Sequence, residues 1–143
     1  MPKQALLSYV VDRNTGLWKA LSGCSASQEQ ISDSQVYNSE RFTDTELPPQ
    51  VDLRPFMTPV ENQAGSNSCT ANAVVGGYEY IMNRVGAEVD FSRLFVYYNA
   101  RELGLQHSGE SKIQDQGSSI TLALISLEEK GICHESTWAY EVT

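Results

Sequence analysis

The sequence predicts an α+β chain, mainly helical and carrying an N-terminal extension, on three observations. Apolar residues recur at helical spacing in three segments beyond residue 68. The stretch whose apolar pattern suits a strand lies at residues 5–11. Between the two, residues 25–49 run through Ser, Gln, Asp, Asn, Glu and Thr with few apolar positions and close on Pro48-Pro49, the pattern of a solvated linker.

At the N-terminus, Ala5-Leu-Leu-Ser-Tyr-Val-Val11 alternates imperfectly and fits a strand or packed extension better than a long helix. The expected division is an extension and linker over 1–47, a candidate propeptide, and a domain over 48–143. A first helix is expected over 68–84, with Val74, Val75, Tyr78, Ile81, Met82 and Val85 at helical spacing. Gly76-Gly77 inside it cost about 1 kcal/mol each relative to Ala, which points to close backbone packing. A second helix opens at Ser92 as N-cap, with Phe91 and Val96 as a hydrophobic staple, and closes at Gly104. Phe95, Tyr97 and Tyr98 read as its core face, and His107 falls in a polar loop beyond it. A third begins near Ser119, capped by Ser118 or Ser119, presents Ile120, Leu124 and Leu127 on one stripe, and ends at Gly131 as a left-handed cap.

Hydrophobic residues make up 41% and charged residues 20% of 143, enough for one modest core. A formal charge of −8, with 10 Lys and Arg and no basic run, argues against nucleic acid or an anionic membrane as partner. The apolar stretch near Met1 is too short, and broken by Ser8, for a signal peptide, and no segment could span a bilayer, so a cytoplasmic location is expected. Three widely spaced cysteines, with no Cys-x-x-Cys pair and no His at ligand spacing, indicate neither a disulfide framework nor a metal site, and no cofactor is expected. Cys24, in a Ser/Gly-rich turn, and Cys133, at a helix exit, read as small packing residues.

Cys69 is different. A small polar loop precedes it and the first apolar-periodic helix follows, so the thiol belongs in the first turn, where unpaired N–H groups and the helix dipole favour a thiolate. Gln63, six residues upstream, could curl back and donate, with a backbone N–H, to the oxyanion formed when that thiolate attacks a carbonyl. The catalytic candidates are therefore Cys69 as nucleophile and Gln63 as oxyanion donor.

Five segments resemble the papain-like cysteine peptidases, in particular a bacterial and archaeal branch with a Cys-Thr-Ala-Asn-Ala core. They are Leu47-Pro-Pro-Gln-Val-Asp-Leu-Arg-Pro55, the run from Pro59-Val-Glu-Asn-Gln63 to Ser68-Cys69-Thr-Ala-Asn-Ala73, Ser92-Arg-Leu-Phe-Val-Tyr-Tyr-Asn-Ala-Arg101, Asp115-Gln-Gly-Ser-Ser-Ile120 and Lys130-Gly-Ile-Cys-His-Glu-Ser-Thr-Trp-Ala-Tyr140. The resemblance implies a papain-like fold represented by its helical half, and a thiol protease hydrolysing peptide bonds. It also implies substrate-binding positions at Gly117, Ser118 and Ser68, the loop of the first two pairing its backbone with an extended substrate. Ser66 stands where papain has a disulfide-forming cysteine, which suits a reducing setting.

The family places its catalytic His and Asn about 130–150 residues beyond the cysteine, so both are expected past Thr143, and neither His107 nor His134 is expected to act as base. The chain alone is then expected to be inactive, with an apolar face open to the missing C-terminal half or to a second copy. The partners implied are a peptide or protein substrate and that half. The alternative reading is a catalytically inactive, truncated paralogue that binds peptides or a partner. A third keeps the thiol for transfer or deamidation.

Overall fold

The computed structural model describes residues 8–11, 18–21, 38–43, 45–108 and 111–141. Two strands, β1 (Ser8–Val11) and β2 (Trp18–Leu21), pair antiparallel from Ser8↔Leu21 to Val11↔Trp18. β1 lies inside the stretch read as a strand. Neither strand contacts a helix among the described residues, and the rest of those residues are mainly helical. Cys24 and most of the 25–49 linker lie outside the described residues.

After short 3-10 turns at Ser39–Arg41 and Arg54–Phe56, helix α1 spans Cys69–Arg84, α2 spans Arg93–Ser108 and α3 spans Ile120–Lys130. The core is Ala71 and Val75 of α1, Phe91, Val96, Tyr97, Ala100 and Leu103 on and before α2, and Leu122 and Ala123 of α3. An alanine from each of the three helices lies in it beside larger side chains.

In α1 the buried line runs through Thr70, Ala71, Val75 and Glu79. Val74 and Met82 pack partly against the core, but Tyr78, Ile81 and Val85 of the expected apolar face are exposed. Nothing lies within 4 Å of a Cβ placed at Gly76 or Gly77. The expected close packing at the two glycines is therefore absent; they lie on an open face.

Ser92 caps α2 as expected, its Oγ accepting from Phe95 N at 3.1 Å. The helix does not stop at Gly104. It runs to Ser108 and so includes His107. At Gly104 an added Cβ would lie 3.5 Å from Leu122 Cδ1, an ordinary packing distance, so the glycine packs toward α3 from within the helix and is not a cap. Tyr97 is buried, but Tyr98 is exposed and leans with Phe95 on Trp138.

Ser119 is the cap of α3, accepting from Leu122 N at 3.1 Å, and the inward face is Thr121, Leu122, Ala123 and Ser126. Ile120 and Leu124, expected inside, are exposed. From the inward face Ser126 Oγ donates to Val96 O at 3.5 Å. At Gly131 φ is 72° and ψ −153°. This is not the left-handed helical region expected, but one that costs other residues about 1–3 kcal/mol.

One buried ion pair ties these pieces together. Glu79, with no exposed surface, accepts from Arg93 Nη2 at 3.1 Å, Phe91 N at 2.9 Å and Thr58 Oγ1 at 2.9 Å. Arg93 also reaches Glu61 at 3.5 Å and Asp90 at 3.4 Å. The segment entering the nucleophile loop is thereby fastened to both α1 and α2.

Candidate functional site

The loop from Glu61 to Ser68 is built from local turns. Asn62 Oδ1 accepts from Ala64 N at 2.9 Å, and Gln63 O accepts from Ser66 N at 3.2 Å. Ala64 sits at φ 49°, the one positive-φ residue other than glycine among the described residues. Left-handed backbone costs an alanine about 1–2 kcal/mol, and strain of this kind clusters at functional sites. The turn sends the Gln63 side chain back along its own loop, where Nε2 donates to Ser66 O at 3.0 Å. Cys69 is the first residue of α1, half-buried and outside any disulfide.

Two tethers hold this loop from outside. Tyr140 Oη lies 2.5 Å from both Ser66 Oγ and Ser68 Oγ and donates to Gln63 O at 3.0 Å. On the other side, Asp115 accepts from Asn67 N at 2.9 and 3.2 Å and from Tyr97 Oη at 2.5 Å, while Asn67 Nδ2 donates to Asp115 O at 2.8 Å. Burial and the bond to Asp115 push the Tyr97 phenol well above its ordinary pKa, so it stays a donor at any physiological pH.

Gly117 N donates to Tyr97 Oη at 3.0 Å, and Gly117 O accepts from Arg101 Nη1 at 2.8 Å. Both backbone groups of this buried glycine are engaged within the fold. The loop they belong to carries Asp115 and holds Tyr97, a scaffold role that stands beside the expected pairing with a substrate. Ser118 is buried with its Oγ toward Ser119 O at 3.1 Å and Thr70 Oγ1 at 3.3 Å. Ser68 is fully buried, its Oγ accepting from Asn72 Nδ2 at 2.9 Å. Both serines are buried within the fold.

Cys133 is half-buried and its carbonyl accepts from Ser92 N at 2.9 Å. His134 stacks on Phe91 and bridges to it through the backbone, a packing role. Sequence reasoning missed Tyr140, Asp115, Tyr97, Glu79 and Arg93 as organisers of the site. For all but Glu79 the signal was there, since each of the other four lies in a segment carrying the papain-like resemblance. For Glu79 the sole sign was an acid amid apolar residues of a helix.

No family model matches the chain. Over 83 residues it is 34% identical to an uncharacterized peptidase C1-like protein, L477, of Acanthamoeba polyphaga mimivirus, a match covering 56% of this chain and 25% of that protein. The chain thus spans about a quarter of the relative's length. At family level, this supports a papain-like peptidase relationship. Among the described residues no helix is long and apolar enough to cross a membrane, and no group of three or more His, Cys, Asp or Glu is placed to hold a metal ion.

Proposed function

We propose that the chain is the nucleophile-bearing lobe of a papain-like, cysteine-type peptidase with an α+β fold. Cys69 attacks the scissile carbonyl, and its own N–H together with the second Nε2 hydrogen of Gln63 holds the oxyanion. The observation that supports this reading is the strained, doubly tethered loop between Gln63 and Cys69, in which the Gln63 amide folds back onto Ser66 O. The imidazole base and its Asn would come from outside residues 1–143. Ser66, serving as a hydrogen-bonding hydroxyl in place of a disulfide, fits a reducing compartment.

The test is thiol reactivity. A thiol at a helix start is favoured as thiolate, so Cys69 is expected to be alkylated faster than Cys133 in brief iodoacetamide treatment, read by peptide mapping. Preferential labelling of Cys133 would remove the nucleophile assignment.

A second lobe would need a surface to dock on, and the exposed Val60, Ile81, Val85, Ile120 and Leu124 supply apolar area for it. Residues 1–143 alone are then expected to self-associate in light scattering and to leave a fluorogenic peptide uncut. A monodisperse monomer that cleaves the peptide would overturn both the lobe reading and the external base.

A further inference from the structure

We propose that Tyr140 is a positioning residue for the oxyanion donor: its hydroxyl, bridging Gln63, Ser66 and Ser68, fixes the loop and with it the spacing between the Gln63 amide and the Cys69 thiol. The inference rests on the peptidase reading and assigns a role to a residue far from the nucleophile in sequence.

The hydrogen-bond arithmetic favours it. Three hydroxyls, those of Tyr140, Ser66 and Ser68, lie within hydrogen-bond distance of one another, and two of them, Tyr140 and Ser66, also donate to Gln63 O, which can only accept. Tyr140 gives its single proton to that carbonyl, and Ser68 Oγ, already an acceptor from Asn72, can direct its proton at Tyr140 Oη. The phenol thus spans both ends of the loop, from the carbonyl of the oxyanion donor to the residue preceding the nucleophile. Among the described residues, Tyr140 hydrogen-bonds to both Gln63 and Ser68 from outside the loop, while Ser66, which does the same, is part of the loop itself.

Tyr140 is itself held in place. Its N–H donates to Glu135 Oε1, Glu135 N donates to Asp90 O at 2.9 Å, and Ser92 Oγ donates to Trp138 O at 2.6 Å. The stretch from 133 to 140 is in this way anchored to the start of α2, and the ring presents its hydroxyl from a fixed base.

Two reagents separate positioning from plain stability in the 143-residue chain. Iodoacetamide alkylates a thiolate by direct displacement of iodide, with no tetrahedral oxyanion. p-Nitrophenyl acetate acylates it through one: the S–C bond forms, the C–O bond breaks with its electron pair leaving on p-nitrophenolate, and the thiol proton passes to solvent. Tyr140→Phe is expected to slow Cys69 acylation about tenfold while alkylation changes less than about twofold, because a displaced donor fails only where an oxyanion develops. Ser66→Ala, which keeps the ring and removes one partner, should show a smaller loss in the same ratio and carries the test should the first variant not fold. Adding Tyr140→Phe to Gln63→Ala should lower the ratio no further. An unchanged ratio in Tyr140→Phe, or equal slowing by both reagents, overturns the proposal while leaving the peptidase reading intact. An unchanged ratio in Gln63→Ala itself overturns the oxyanion reading, and this inference with it.

Discussion

Glu79→Ala is expected to lower the unfolding free energy by about 3–5 kcal/mol, the usual loss when one member of a buried ion pair is removed. The side chain has no exposed surface, and three donors converge on it. Without it, the guanidinium of Arg93 stays buried with Glu61 and Asp90 as its remaining acids, both longer contacts on exposed side chains. The buried Phe91 N–H loses its acceptor as well, at about 1–3 kcal/mol for a buried group left unpaired, and so does the half-buried Thr58 Oγ–H at smaller cost. Urea unfolding should show a lower midpoint with an unchanged slope. The double variant Glu79→Leu with Arg93→Met should recover only part of the loss, since it removes both charges but leaves those two neutral donors stranded. Full recovery would mean that the charge pair alone, and not the bonds to Phe91 and Thr58, makes Glu79 matter.

The position of Cys69 at a helix start was legible because a polar loop and a run of helical-period residues meet there, and α1 begins at that residue. The helices' inward faces were not legible. Periodicity counts apolar residues, but here the buried positions include the small Ala123 and Ser126, and the ion pair with Arg93 places Glu79 inside. Large residues such as Ile81, Ile120 and Leu124 were left outside. The same limit hid the site's supports. Tyr140 and Asp115 lie 77 and 48 residues from the loop positions they bind, and contacts of that range leave no periodic trace. The motif around Gly117 was visible, yet its hydrogen bonds run inward to Tyr97 and Arg101, which spacing alone does not disclose.

In the whole protein, Gln63→Ala is expected to lower kcat by about 10²–10³, the cost of one oxyanion donor, with KM little changed. The amide is proposed to meet charge that exists only once the carbonyl has been attacked, so its loss falls on the transition state and not on substrate binding. The loop should survive the substitution. Tyr140 and Ser66 bind the main-chain carbonyl of residue 63, which alanine retains, and only the bond from Nε2 to Ser66 O is lost. Cys69→Ser is expected to abolish turnover, and adding Gln63→Ala to it should remove nothing more, because groups that act on one intermediate do not contribute independently. Steady-state kinetics on a fluorogenic peptide decide between the roles: normal kcat in Gln63→Ala beside an inactive Cys69→Ser would keep the nucleophile and discard the amide, whereas a raised KM with normal kcat would make Gln63 a binding residue.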